Sequence, residues 1–355
     1  MKILHISDIH GDFGMLEIAL NATLKGNPNY FDIVACSGDI CSPIYTQQES
    51  VMLKALTESF YNLGKIGQLK NHQVETVIAE DDFSLIDFII KLKESAANKP
   101  LNGLPEDYIA LHNKALEMSK KNYQLFKGIL EQFGQTPEKV VLVPGNWDVT
   151  TINDVLGESC LKPAELKEIK GLDDEQSLSF IGYGGSVEYL PGTIPEDLII
   201  PFSGQEAFNS LISTNGQEDV AITHTPPLFM LKSRHNHNEP TENKYLRDYL
   251  YASKPTLMLC GHTHTNGFEI TNTSLKSFSI VAGSGNLGGY RQFSDDNKFS
   301  GDYGFFNILE IDEENYVASI KTQQIVFPNG RGKSNKVQLA SRKFIFNHEG
   351  NCKEV

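Results

Sequence analysis

Five short polar motifs hold the residues of this chain that are equipped for chemistry. They are Asp8-Ile9-His10, Gly38-Asp39, Gly145-Asn146-Trp147-Asp148, His224-Thr225-Pro226-Pro227 and Gly261-His262-Thr263-His264. Together they offer two carboxylates, Asp8 and Asp39, one amide oxygen on Asn146, and the imidazoles of His10, His224, His262 and His264. Borderline divalent metals such as Mn, Fe, Co and Zn accept that mixture of ligands. A two-metal site holds its ions about 3.5–4 Å apart and clamps both the attacking and the leaving oxygen of an in-line displacement. One carboxylate must then serve both ions. Asp-x-His and His-x-His suit a turn that leaves a strand, because alternate side chains share a face. Glycine precedes a ligand at positions 38, 145 and 261, where a tight turn costs least without a Cβ. A single histidine near a strand end is more often structural than ligating. Five such motifs in this order form a much stronger signal.

The surrounding pattern shows what must position them. Short apolar runs cover 2–7, 31–37, 139–143, 178–182, 220–223, 256–260 and 277–282, with three more at 304–311, 316–327 and 337–346. Continuous apolar runs fit strands buried on both faces. Residues 15–24 look helical. The whole reads as α/β with a strand-rich second half. Each of the five motifs ends one of these runs, and in open α/β sheets the loops after the strand carboxyl ends form the ligand crevice. Residues 46–116 differ, with helical apolar spacing over 47–63 and 83–95. A third helix starts near Pro105, a residue suited to a helix start. That helix continues as a stripe of Ile109, Leu116, Tyr123, Phe126, Leu130 and Phe133. The segment reads as a helical insertion, a candidate cap or lid, whose last helix runs into the core; helices that merely cover the sheet are the alternative. Residues 312–355 read as a β-hairpin completing the sheet, with 328–335 at its tip.

Asp-x-His, Gly-Asp, Gly-Asn-x-Asp, His-x-Pro-Pro and Gly-His-x-His resemble the calcineurin-like metallophosphoesterase superfamily, over residues 1 to about 310 apart from the insertion. The resemblance implies one four-layer α/β/β/α sandwich domain spanning 1–355 and hydrolysis of a phosphoester by a hydroxide shared between two divalent metals, with Mn or Fe favoured over Zn or Co. It implies that Asp8, His10 and His264 hold one ion, that Asn146, His224 and His262 hold the other, and that Asp39 bridges. Asp39, Asn146 and His224 would thus take part directly in the reaction.

One position departs from the pattern. Many members of the superfamily carry a histidine after Gly-Asn, the usual candidate to protonate the leaving group, and here that residue is Trp147. An indole donates a hydrogen bond but releases no proton near neutral pH. General acid help is worth about 10²–10⁴-fold, and the alkoxide of a phosphomonoester would miss it most. A phosphodiester is therefore the favoured substrate. A phosphomonoesterase or protein phosphatase, a nuclease, and a non-enzymatic scaffold of the same fold are the alternatives. Trp147, His235 and His237 are candidates for the substrate pocket; a solvated loop is the plainer reading of the two histidines.

The bulk numbers narrow the class. Lys plus Arg number 31 against 45 Asp plus Glu, a net charge of −14, which disfavours binding to nucleic acid through phosphate neutralisation. Five scattered cysteines without a CxxC pair, no long apolar run and no signal-peptide pattern point to a cytoplasmic protein without a membrane span. Gly283 to Gly288 matches GxGxxG, but 288–303 reads as loop where a dinucleotide fingerprint needs a helix. The match is taken as a turn near the mouth. Cys36 and Cys260 read as core. Asp12 either steadies a ligand histidine or closes a turn.

Overall fold

Two β-sheets face each other across a shared apolar interior. A computed structural model of the protein describes residues 1–24, 26–41, 104–172, 175–185, 202–228, 230–231, 243–274, 277–288, 290–293, 299–327 and 337–355. The first sheet comprises β1 (Lys2–Ile6), β2 (Ile33–Cys36), β3 (Val140–Leu142), β10 (Tyr290–Phe293), β11 (Phe299–Ile311), β12 (Val317–Phe327), β13 (Gln338–Phe346) and β14 (Cys352–Glu354). Its order is β14-β13-β12-β11-β1-β2-β3, with β10 paired to β11. The second sheet comprises β4 (Lys167–Lys170), β5 (Ser177–Tyr183), β6 (Val220–Thr223), β7 (Leu257–Cys260), β8 (Asn266–Ser274) and β9 (Ser277–Ser284). Its order is β4-β5-β6-β7-β9-β8.

Strands β1, β2 and β3 are parallel to their neighbours in the series, as are β5, β6, β7 and β9. These are the strands whose short runs are apolar throughout. β2, β6 and β7 are buried at every residue because both of their faces are covered. The inner faces carry Ile3, Ile33, Val141 and Leu309 from one sheet against Phe180, Ile222, Leu257 and Ile280 from the other. Leu4, Val34 and Phe306 turn outward and meet Leu16 and Leu20 of α1 (Phe13–Leu24), Tyr123 and Phe126 of α2 (Leu104–Gln132) and Ile152 of α3 (Ile152–Leu156). Ile181, Ala221 and Met258 face outward on the other side, under Leu211 of α4 (Gly204–Ile212) and Leu246 and Tyr249 of α5 (Lys244–Ser253). The order is helices, sheet, sheet, helices, and the expected four-layer α/β/β/α sandwich is what the chain forms.

The strand expectations hold closely. One reading needs correction: the stretch taken as loop after Gly288 contains β10 and the first part of β11, which pair with each other, Tyr290 opposite Tyr303. Mixed glycine, aspartate and aromatic residues hid an antiparallel pairing at the sheet's edge. GxGxxG is followed by a strand and not a helix, so it is no dinucleotide fingerprint. The helical spacings at 47–63 and 83–95, and the hairpin tip at 328–335, lie outside the described residues. β12 and β13, which flank that tip, pair antiparallel. Among the described residues no helix is long and apolar enough to cross a membrane.

Candidate metal centre

Each of the five motifs leaves the carboxyl end of a parallel strand: β1, β2 and β3 in the first sheet, β6 and β7 in the second. The two sheets face each other, so these ends open into one mouth. The turns there are tight and strained. Asp8, His10, Asp39, His262 and His264 all take positive φ, between 49° and 66°. Non-glycine residues rarely do so, and such strain of about 1–3 kcal/mol each concentrates at functional sites. Backbone bonds sew the turns together. Asp8 N–H donates to Gly38 O at 2.9 Å and His10 N–H to Asp39 O at 2.9 Å. Gly38, at φ 98°, lies against the Gly145 turn, and a Cβ there would meet Gly145 N at 2.5 Å and His224 Nδ1 at 2.8 Å.

The seven expected side chains come together. His264 Nε2 is 3.3 Å from Asp8 Oδ1 and 3.4 Å from His10 Nε2. His224 Nε2 is 3.0 Å from Asn146 Oδ1 and 3.4 Å from Asp39 Oδ2, and His262 Nδ1 is 3.2 Å from the same Asn146 oxygen. Asp39 Oδ2 also lies 3.9 Å from His10 Nε2, between the two groups. Asp8, His10 and His264 each offer one ligand atom within 4.8 Å of the others, as do Asp8, Asp39 and His224.

The donor chemistry fits divalent cations. His224 Nδ1–H donates to the Ser37 carbonyl at 2.7 Å, so the neutral ring turns its Nε2 lone pair toward two oxygens. These nitrogen and oxygen atoms are satisfied by a proton carried on a ring or by a cation placed among them. The charges around two of the rings favour the protonated form. Burial lowers the pKa of His224, but Asp39, Asp8 and the Ser37 carbonyl outweigh it and raise the value to about 9. His264 behaves likewise: burial opposes, and Asp8 and Asp39 raise it. For Asp8, burial favours the neutral acid, yet His264, His224 and His10 hold it well below the usual carboxylate range. Every one of these shifts reports a centre that calls for positive charge.

The supports of this cluster were less visible in the sequence. Asp148 is fully buried and gathers the turns of β2 and β3. Its carboxylate accepts from Gly145 N–H at 2.8 Å and from Ile40 N–H and Cys41 N–H, both at 3.1 Å. Tyr123 on α2 donates its hydroxyl to Asp148 at 3.2 Å and accepts from Val149 N–H at 2.9 Å. Burial and the Asp39 charge push the Asp148 pKa up, against the pull of these donors. Asp148 ends the Gly145-Asn146-Trp147-Asp148 motif, whereas Tyr123 belongs only to an apolar stripe. Ser7 donates to Asp8 Oδ2 at 2.6 Å, and His262 N–H approaches the same carboxylate at 3.1 Å. At the end of β5, Gly185 bonds Pro144 O and receives the Thr225 hydroxyl, which places that unnoticed turn beside Asn146 and His224.

Trp147 is half-buried beside the cluster, and its backbone N–H donates to Asp39 Oδ1 at 2.9 Å. His235 and His237 lie outside the described residues. The GxGxxG turn does reach the mouth: Leu287 N–H and Gly288 N–H donate to Ser7 O and Asp8 O. Asp12 closes the turn into α1 by accepting from Met15 N–H at 3.4 Å. Cys36 and Cys260 are core residues, and Cys41 is buried under Asp148.

No curated protein matches the sequence. One crystal structure aligns with a TM-score of 0.50 at 14% identity, over 96% of this chain and 98% of its own, which speaks to the fold alone. The protein TT1561 of Thermus thermophilus aligns at 13% identity and a TM-score of 0.45, over 89% and 96% of the two chains. Vps29 of Chaetomium thermophilum aligns at 9% identity and a TM-score of 0.34, over 97% and 98%. The family model described as calcineurin-like phosphoesterase matches residues 108–266, a span that holds Asn146, His224, His262 and His264. Over that span the sequence is similar to calcineurin-like phosphoesterases, and the motifs that carry Asp8, His10 and Asp39 meet it in space.

Proposed function

We propose that the protein hydrolyses a phosphodiester at the seven-residue cluster. The observation that carries this reading is the convergence of the ligating atoms of Asp8, His10, Asp39, Asn146, His224, His262 and His264. In this reading Asp8, His10 and His264 hold one cation, and Asn146, His224 and His262 hold a second. Asp39 serves both, since Trp147 N–H engages Oδ1 and leaves Oδ2 toward the histidines of each group. Two divalent ions, Mn or Fe by preference, supply Lewis acidity and an acidified water when bound. The chain does the positioning. Asn146 is steadied between two imidazoles and lies beside the scissile phosphate. Ser37 fixes the His224 tautomer, so Nε2 and not Nδ1 faces the centre. Trp147 borders the mouth where a general acid would stand, and its indole provides no proton.

That deficit favours a diester over a monoester. About 10²–10⁴-fold is lost without proton delivery, and the alkoxide of a phosphomonoester bears it most. Residues 46–116 we take as an insertion that restricts access, and 312–355 as the hairpin that extends the first sheet. All five cysteines are free thiols, as a reducing compartment such as the cytoplasm keeps them. The test is direct: with Mn supplied, bis-(p-nitrophenyl) phosphate should turn over faster than p-nitrophenyl phosphate. A native preference for the monoester would overturn the diesterase assignment.

A further inference from the structure

Along the strands toward the site, the interior between the sheets changes from apolar to polar. Ile3, Ile33 and Ile280 give way to His5, Ser37 and Ser284, all fully buried. His5 is the titratable member of this layer, and the chemistry above makes no use of it. It lies on β1 opposite Ala35 of β2 and Asn307 of β11. Its Nε2 is 2.9 Å from Ser37 Oγ, while its Nδ1 is buried without a partner. Asn307, its polar neighbour, is engaged elsewhere, donating to Gly283 O at 2.8 Å and accepting from Asn266 at 3.1 Å.

Ser37 is held at three points. Its N–H donates to Ile6 O at 3.0 Å, its hydroxyl meets His5, and its carbonyl receives His224 Nδ1–H at 2.7 Å. Histidines that ligate metals are oriented by the partner of their other nitrogen, and loss of such a partner costs about 10–100-fold in metal affinity. We infer that His5 is a positioning residue for His224, acting through Ser37: the His5–Ser37 bond holds the carbonyl that orients the ligating imidazole. A buried imidazole with one ring nitrogen unpartnered is costly, and an aliphatic residue would fill a strand interior at less cost. Burial also drives the His5 pKa to about 3, against the attraction of Asp8. The ring is therefore neutral at working pH and constant as a hydrogen-bonding partner.

This inference rests on the metal-centre reading, and the experiment separates the two. Metal-free native protein, His5→Gln, His5→Phe and Ser37→Ala are titrated with Mn²⁺ by calorimetry. Each protein is also labelled with ¹⁵N-histidine to follow the ring N–H signal of His224 before metal is added. Gln can return an amide to the Nε2 position, while Phe keeps the bulk without the bond. His5→Phe and Ser37→Ala should weaken one Mn²⁺ event by about 10–100-fold and broaden or shift the His224 signal. His5→Gln should stay within about threefold of native, well inside that loss. Equal Mn²⁺ affinity in native and His5→Phe, or His5→Gln as weak as His5→Phe, overturns the positioning role. If His5→Phe does not fold, Ser37→Ala decides alone: native affinity with an unchanged His224 signal refutes the inference. Native protein that binds no Mn²⁺ overturns the metal-centre reading itself, and the positioning role with it.

Discussion

Replacing Asp148 by Asn tests whether the turns that carry Asp39 and Asn146 are held by one buried carboxylate. The shapes of the two side chains are nearly equal, so the change isolates hydrogen bonding. Oδ1 accepts from Ile40 N–H, Cys41 N–H and Tyr123 OH, while Oδ2 takes the 2.8 Å bond from Gly145 N–H. An amide in this place keeps its oxygen toward the three donors and turns its NH₂ on Gly145 N–H. Orphaning that buried donor costs about 1–3 kcal/mol. Each remaining bond falls from charge-assisted to neutral, a loss of about 1 kcal/mol. Some of this returns, because burial and Asp39 disfavour the native charge. The net loss is about 2–4 kcal/mol, roughly 1 M off the urea midpoint for a chain of this size. Asp148→Ala strands all three backbone donors, at about 3–9 kcal/mol, and should barely fold. The assay is urea unfolding followed by far-UV circular dichroism and by fluorescence of Trp147, the sole tryptophan of the chain and the neighbour of Asp148. An Asn variant within about 0.5 kcal/mol of native, the range of an ordinary surface change, would refute the clamp.

Further outcomes follow from the same geometry. Gly38→Ala should cost together about 2–6 kcal/mol, from backbone strain at φ 98° and from a Cβ forced against Gly145 N; a thermal melt equal to native would contradict it. Trp147→His should raise turnover of an alkyl phosphomonoester such as β-glycerophosphate by about 10²-fold, the lower end of general acid help, with less effect on p-nitrophenyl phosphate, whose leaving group departs as a stable anion; equal effects on both would remove the leaving-group argument.

Much of this could be read from the chain because strand burial is local. Runs such as Ile33–Cys36 and Leu257–Cys260 are apolar at every position, and the next polar residues must fall at their carboxyl ends. The ligand set was therefore visible with its strands. β10 was not, since Tyr290–Phe293 pairs with a segment of β11 rich in glycine and aspartate and carries no apolar run. The left-handed backbone of Asp8, His10, Asp39, His262 and His264 was also hidden: aspartate and histidine enter that region more often than most residues, but still uncommonly, and it is the close packing of several turns that enforces it. Tyr123 read as one more apolar residue of a helix stripe, and nothing in its spacing announced a hydroxyl beneath Asp148. His5 belongs to no motif, and its link to His224 through Ser37 exists only because the second sheet brings His224 against the Ser37 carbonyl.

The central claim is that seven side chains form one dinuclear centre with Asp39 shared. Metal content after Mn²⁺ loading and gel filtration tests it most directly, measured by mass spectrometry on native protein and on Asp39→Asn. The account predicts about two ions per native chain, and a fall well below one in Asp39→Asn together with loss of phosphodiester turnover. A native chain holding far less than one ion, or an Asp39→Asn variant that keeps both, would contradict it.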